Sequence, residues 1–432
     1  RIVNTIFTLV TLLCGVNSAL ALKEDPTCFA CQTMVEIAKK EVFTNETTGM
    51  LNGLCEKVPD AQTANECKIV VGAYFQKLVD VIQKADDTTI CRELGYCTAQ
   101  HFRRYQPFVK YAVKHNKLHK YGTIDEVIRR QKIYNDNSRL IKKHNAKYER
   151  GQVSYFLQEN EFMDMTNNEF KKLHNGYKKQ RNVSEDLKMC ELEDSFTKSS
   201  SVKINMSNRV PQSFDWRDKG VVTDVKNQAK CGSCWTFSIS GAVESAHAIA
   251  TGNLVTLSEQ ELVDCDKVDQ GCNGGEPDLG FRFVEKNGLC HEDDYPYEAV
   301  DDICKRDLVS SCNNRVFIKD CKAVETQNEV AMMKALVANG PLSIAIEADQ
   351  LVFQFYGGGV MTSTSCGTAL DHAVLIVGYG TDDVSGDYWI VKNSWGESWG
   401  EDGYLRMARD KNNAGFASGE CGLALHPTYP II

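Results

Sequence analysis

Gln228-Ala229-Lys230-Cys231-Gly232-Ser233-Cys234-Trp235 is the stretch from which the rest of the chain can be read. After Cys234 the apolar residues Trp235, Ile239, Ala242, Val243, Ala246, Ile249 and Ala250 recur at three- and four-residue steps, and Gly252-Asn253 follows. That spacing predicts a helix starting at or near Cys234 and ending at Gly252. A cysteine at a helix N-terminus lies where the dipole and the backbone N–H groups favour thiolate over thiol. Thiolate is the form in which cysteine acts as a nucleophile. Cys231 and Cys234 also admit other readings: a redox pair, half of a zinc site, or structural disulfide cysteines. No thioredoxin-type strand pattern surrounds them, and no second close His/Cys pair completes a zinc site.

A nucleophilic cysteine needs a base, and the base needs an orienting partner. Four histidines follow residue 210: His247, His291, His372 and His426. His372 enters the apolar run Ala373-Val374-Leu375-Ile376-Val377, which ends in Gly378-Tyr379-Gly380. Further on, Tyr388-Trp389-Ile390-Val391-Lys392 leads into Asn393-Ser394-Trp395-Gly396. Both runs read as strands. Paired in one sheet, they would bring Asn393 beside His372, where its amide can fix the imidazole and Trp395 can screen the bond from water.

The chain around this segment has 432 residues, enough for two to four domains at roughly 100–200 residues each. Its 42% apolar and 25% charged residues exclude a mostly disordered or fibrous protein. A net charge of −9 argues against a general nucleic-acid binder, and 18 cysteines suit an oxidising compartment. The charge is unevenly spread: +11 over 101–181 and −16 over 210–432. Two such parts would attract each other, and acid would weaken that attraction by protonating carboxylates.

Residues 1–21, with an apolar run from Ile6 to Leu13 and an Ala19-Leu20-Ala21 end, read as a secretory leader whose extreme N-terminus is missing. Sequons at Asn45, Asn182 and Asn205 agree with secretory entry. Residues 23–100 hold Cys28, Cys31, Cys55, Cys67, Cys91 and Cys97 between helical apolar stripes. Residues 101–181 read as helical and basic. Glu126, Arg130, Tyr134, Asn137, Ile141 and Asn145 fall on one helical face, and Asn160-x-Phe162-x-Asp164 follows a strand-like run beginning at Val153. Residues 182–209 are polar and read as a linker holding the activation cut, with Cys190 inside it. A compact unit begins near Val210.

Three resemblances follow from these motifs. The cysteine layout of 23–100 resembles the saposin B-type domain, which implies an all-α fold, pairs Cys28–Cys97, Cys31–Cys91 and Cys55–Cys67, and a lipid or membrane surface as a partner. Residues 101–181 resemble the inhibitory propeptide of papain-like cysteine peptidases, with Tyr134 in place of the usual Phe and Gln158 where many members have Gly. Residues 210–432 resemble the papain family itself, in the style of cathepsins L and F. The motifs are Gln228 with Cys231-Gly-Ser-Cys234-Trp235, Gly271-Cys272-Asn273-Gly274-Gly275, Asp371-His372, and Asn393-Ser-Trp395-Gly396.

The last resemblance implies an α+β unit of two lobes, a helical one carrying Cys234 and a β-rich one carrying His372 and Asn393. It makes Cys234 the nucleophile, His372 the acid–base group, Asn393 the orienter and Gln228 an oxyanion donor. It places Gly274 and Gly275 along the substrate backbone. Around a second pocket it places Pro277, Ala345, Leu370, Ala373 and His426, with Glu276 near the rim and Trp395 close to the site. A protonated His426 would disfavour a basic side chain there. The implied disulfides are Cys231–Cys272, Cys265–Cys304 and Cys366–Cys421. Cys290, Cys312 and Cys321 are left without assigned partners: at most one bridge forms among them, and the remaining thiol could be free or could meet Cys190. The expected whole is a multidomain zymogen of a lysosome-like or secreted endopeptidase, monomeric, acting on peptides and proteins, inhibited by its own propeptide, and needing no cofactor or metal. The alternative makes the saposin-like module the effector and the peptidase the means of its release.

Overall fold

The computed structural model describes residues 99–432 apart from 118–119, 122–123, 180–188, 194–209, 363–365 and 410–417. The leader, the six cysteines of the 23–100 unit, and the sequons at Asn45, Asn182 and Asn205 lie outside these residues. The chain divides into two compact units, one ending at Gln131 and the other running from Lys132 to Ile432.

The first unit contains helix α1 (Ala99–Lys114) and the start of helix α2 (Ile124–Tyr148). Phe108 of α1 is fully buried and stacks on Tyr121, with ring centroids 6.1 Å apart. In α2, Glu126 accepts from Arg129 at 2.8 Å and Arg130 at 2.6 Å. These guanidinium groups hold its carboxyl down at about 2.

In the second unit, the later residues of α2 anchor the segment that follows. Tyr134 donates to Glu159, and Asn137 donates to the carbonyls of Met163 and Met165. Asn145 exchanges two bonds of 2.8 Å with the backbone of Leu157. One face of the helix thus buries the turn through Asn160, and Phe162 goes into the core. Helix α3 (Asn167–His174) starts at a capping box made by Thr166 and Glu169.

Among the described residues ten strands form the sheet: β1 (Tyr155–Leu157), β2 (Glu191–Leu192), β3 (Phe214–Asp215), β4 (Asp320–Ala323), β5 (Leu342–Ile346), β6 (Tyr356–Met361), β7 (His372–Asp382), β8 (Gly386–Lys392), β9 (Tyr404–Ala408) and β10 (Thr428–Ile431). Their order is β1-β6-β9-β8-β7-β5-β10-β4-β2, with β3 paired to β7. Both outer strands, β1 and β2, come from the chain before Val210. β7 is buried from His372 through Gly380, as its unbroken apolar run predicts.

Helix α4 (Cys234–Thr251) packs on β5, β7 and β10 and against α5 (Glu259–Cys265) and α6 (Pro277–Asn287). It is buried nearly all round from Cys234 to Ala248, which fits its almost wholly apolar and small-residue composition. Gly252 ends it in the left-handed conformation, φ 77°.

The described cysteines pair as Cys231–Cys272, Cys265–Cys304, Cys366–Cys421, Cys290–Cys312 and Cys190–Cys321, and Cys234 is free. Behind α4 lies a buried ionic cluster. Lys226 Nζ sits 2.8 Å from Glu244 and 2.6 Å from Glu259. Thr223 donates to Glu244, and Ser240 to Glu259. Both carboxylates are essentially without exposure. Removing one member of a buried ion pair typically costs about 3–5 kcal/mol. Lys226→Met should therefore lower unfolding stability in a denaturant titration by about that amount. A loss below about 1 kcal/mol, the scale of an exposed pair, would show that the cluster is not the buried network described.

Candidate active site

Cys234 is the first residue of α4, behind Ser233, whose side chain makes no capping bond. Sγ therefore lies against backbone N–H groups. The Ala373 N–H, at the start of β7, donates to it at 3.4 Å.

The antiparallel ladder of β7 on β8 sets Leu375 opposite Lys392. His372 and Asn393 therefore come to the same end of the two strands. His372 Nε2 lies 2.8 Å from Asn393 Oδ1, and the imidazole stacks on Trp395 with centroids 4.6 Å apart and planes inclined at 28°. Trp395 is fully buried.

Gln228 is held at both ends. Ser394 Oγ donates to its Oε1 at 2.7 Å. Its Nε2 donates to the Cys231 carbonyl at 2.8 Å and to the His174 carbonyl at 3.0 Å. Tyr297 donates to the Gln228 backbone carbonyl and is bonded to Ser233.

His174 belongs to the segment before the linker, and the residues after it fill the cleft. Asn175 donates to Asp371 Oδ2 at 2.9 Å, and the Tyr177 N–H donates to the Asp371 carbonyl at 2.9 Å. The Gly275 N–H donates to the Gly176 carbonyl at 2.9 Å, and the Lys178 N–H to the Gly275 carbonyl at 3.0 Å. Tyr177 pairs with Gly275 in a parallel bridge. The approach is close enough that only glycine fits at 176: a Cβ there would stand 1.7 Å from the Gly232 carbonyl oxygen.

Phe162, Phe170 and His174 pack edge-on to Trp395, with Phe170 nearest at 4.9 Å. Asn160 reaches the Gln354 carbonyl at 2.7 Å, and Lys171 pairs with Asp349 at 2.7 Å. These contacts combine aromatic packing, amide and backbone bonds with an ion pair, so opposite net charge is one part of the attachment.

Under this cover Cys234 and His372 have no exposure. Burial pushes the Cys234 thiol up to about 12 and His372 down to about 4. Both directions favour the uncharged pair. The thiolate expected at Cys234 from its helix position is opposed, under this cover, by burial. A helix terminus contributes about 0.3–2 kcal/mol, less than the cost of burying an uncompensated charge.

The second pocket is also filled. Tyr177, Ala345 and Ala373 belong to one buried cluster with Leu370 packed against it, and Pro277 opens α6. Ala345 and Ala373 face each other in the β5–β7 ladder. Glu276, expected at the rim, is fully buried. His426 Nε2 lies 3.7 Å from Glu276 Oε1, and Nδ1 lies 3.9 Å from Asp278 Oδ1. The Tyr177 ring is 6.1 Å from the imidazole, and burial together with Glu276 and Asp278 raises its phenol above the ordinary value.

The structure thus brings Cys234, His372, Asn393, Gln228, Trp395, Gly274, Gly275 and the pocket residues to one cleft. Sequence reasoning missed Asp278, Ser394, Tyr297 and the whole cleft-filling run from His174 to Lys178. Ser394 lay inside a quoted motif. Gly176 between two bulky polar residues was the available signal for the run, while Tyr297 and Asp278 carried none.

Residues 210–431 match the family described as "Papain family cysteine protease", and residues 108–170 match "Cathepsin propeptide inhibitor domain (I29)". Procathepsin L of Rattus norvegicus is 42% identical over 325 residues, covering 74% of this chain and 89% of that protein. Cysteine proteinase RD21A of Arabidopsis thaliana is 45% identical over 321 residues, covering 74% of this chain but only 64% of that longer protein. Among solved structures, a recombinant stem bromelain precursor superposes with a TM-score of 0.66 at 39% identity, covering 76% of this chain and 99% of that one. Digestive procathepsin L2 proteinase from Tenebrio molitor larval midgut gives 0.66 at 35% identity, with coverage of 76% and 100%.

The covered cleft makes a chemical prediction. With the thiol held up near 12, alkylation of Cys234 by iodoacetamide in the uncut chain should be slow at pH 7 and rise about tenfold per pH unit through pH 9. Gly176→Ala cannot seat the same backbone, so its cleft should open and its Cys234 should react at least about a hundredfold faster at neutral pH. Equal rates in the two proteins would mean that residues 174–178 do not control the thiol.

Proposed function

This chain belongs to the papain family of cysteine proteases, and on that premise we propose that it is the zymogen of a cathepsin L-like endopeptidase worked by Cys234, His372, Asn393 and Gln228. The observation that carries the reading is the His372–Asn393 bond of 2.8 Å at the mouth of α4, next to the free Cys234. With the cleft open, water and the helix terminus stabilise a thiolate, and His372 takes the proton. The thiolate attacks the scissile carbonyl. The oxyanion is held by Gln228 Nε2 and the Cys234 N–H, a role supported by the bond that Gln228 already gives to the His174 carbonyl. His372 protonates the leaving amine, then takes a proton from the water that splits the acyl-thioester. Loss of the Gln228 amide in Gln228→Ala should lower kcat about 10²–10³-fold.

The pocket filled by Tyr177 suits a bulky aliphatic or aromatic side chain. Glu276 and Asp278 face His426 here, and burial pushes the Asp278 carboxyl up. Against the expectation drawn from His426 alone, the reading proposed is that Glu276 admits a basic side chain. Comparing peptides with Arg or Leu at the residue preceding the cleavage-site residue tests this. His426→Ala should raise the Arg:Leu ratio of kcat/KM, and Glu276→Gln should lower it about tenfold, the effect of roughly 1.4 kcal/mol. Ratios unmoved by both changes would remove Glu276 as a determinant.

The leader-like start, the cysteine content and the disulfides support a place in the secretory pathway, in an acidic store or outside the cell. The cysteine spacing of 23–100 supports a saposin B-type module with a lipid or membrane surface as its partner.

Acid activation of the full chain tests the main reading. Wild type and Cys234→Ala are held at pH 4–5 with mild thiol. Wild type should convert to a form starting near Val210 and hydrolyse a Phe-Arg peptide in a manner blocked by an epoxysuccinyl inhibitor, while Cys234→Ala should do neither. Wild type that stays inert after an added protease has removed the prosegment would end the peptidase reading.

A further inference from the structure

Cys190 lies before Val210, on the prosegment side of an activation cut made between Glu193 and Val210. Its sulfur is bonded to Cys321, a residue of β4 in the catalytic unit, 131 positions away. The bond belongs to a docked segment. Glu191 and Leu192 form β2, paired in parallel with Lys322 and Ala323 of β4. The Glu193 N–H donates to the Ala323 carbonyl at 3.1 Å. The Cys190 N–H donates to Asp278 Oδ2 at 3.2 Å, and Arg282 donates to the Met189 carbonyl at 3.2 Å. Cys321 is fully buried and Cys190 nearly so.

We propose that Cys190–Cys321 is a covalent latch: cutting the chain between Glu193 and Val210 does not by itself free the cleft, because the severed prosegment stays bonded to the catalytic unit. This rests on the zymogen reading above. After such a cut, the piece that fills the cleft, His174 to Lys178, is still joined through residues 179–189 to Cys190. An untethered inhibitor leaves when it is diluted below its dissociation constant. A tethered one rebinds at an effective concentration on the order of millimolar, whatever the enzyme concentration. Activation therefore needs a second event, either reduction of the latch or another cut between Lys179 and Met189.

Reduction balances as thiol–disulfide exchange. The thiolate of a small-molecule thiol attacks one sulfur of the bridge and expels the other cysteine as thiolate, which takes a proton. A second thiol molecule resolves the mixed disulfide. In sum, the bridge and two thiols give Cys190 and Cys321 thiols and one small-molecule disulfide, the protein gaining two electrons and two protons. Because both sulfurs are covered, exchange requires β2 to lift from β4.

The test uses the full chain with a sequence-specific protease site inserted within residues 196–205, as wild type and as the Cys190→Ser/Cys321→Ser double variant. Both are cut without thiol, diluted a hundredfold at pH 5.5, and followed by gel filtration, by gels with and without reductant, and by peptide hydrolysis over a glutathione series. Cut wild type should run as one species without reductant and as two with it. It should keep its prosegment on dilution and gain activity only as glutathione rises. The double variant should shed the prosegment on dilution and be active without glutathione. Wild type that separates into two chains without thiol, or that matches the double variant in dilution sensitivity, would overturn the latch. Should the double variant fail to fold, mass spectrometry of thiol-free digests decides: a linked Cys190–Cys321 peptide pair supports the latch and two free peptides refute it. Hydrolysis absent from both proteins at high glutathione would count against the peptidase reading, while gels and gel filtration still decide the latch.

Discussion

The ladder between β7 and β8 is the constraint on which the site rests. Its register places His372 and Asn393 at one end of the two strands. A slip of one residue would turn every side chain of β8 to the other face and separate the pair. The register is fixed from behind by α4, which lies so close that a Cβ on Gly241 would stand 3.0 Å from Leu375. Ser238 of the helix also donates to the Val374 carbonyl at 2.8 Å. The same packing that aligns the strands delivers the N-terminus of α4, and with it Cys234, to the start of β7. The meeting of Cys234, His372 and Asn393 is therefore a consequence of one helix seated on one pair of strands.

Latency uses the converse of what makes the site reactive. An open cleft lets water and helix N–H groups support separated charges on sulfur and imidazole. A backbone laid across it removes the water, and burial then shifts both groups toward their neutral forms. Only a chain with glycine at the crossing can come this close, and Gly176 meets Gly232 and Gly275 there. The cover presents the His174 carbonyl to the Gln228 amide and sets the Tyr177 ring 6.1 Å from the His426 imidazole. The outer strands β1 and β2, both from the chain before Val210, extend the sheet at its two ends and spread the attachment well beyond the cleft.

Much of this was legible in the chain itself. The three- and four-residue apolar steps after Cys234 mark α4 and its end at Gly252. The two apolar runs holding His372 and leading to Asn393 mark β7 and β8. The face from Glu126 to Asn145 marks α2. Each is a local signal, since periodicity and end residues depend on neighbours a few positions away. The order of the motifs was enough to suggest the family and hence the pairing of the principal residues.

Other features depend on residues that meet only after folding. Glu276 and Asp278 meet His426 only in the folded chain, and Asp278 gives no sign in the sequence of facing that way. Cys190 and Cys321 are 131 residues apart, and the cysteine count alone left Cys190 with several partners. The protonation state of Cys234 depends on whether residues 174–178 lie over it, which helix position does not reveal. The sequence by itself determined the elements and the family, because those are written in local spacing and residue type. The tertiary structure alone decided burial, close backbone approach and distant cysteine pairing, because these arise from the shape that the assembled elements enclose.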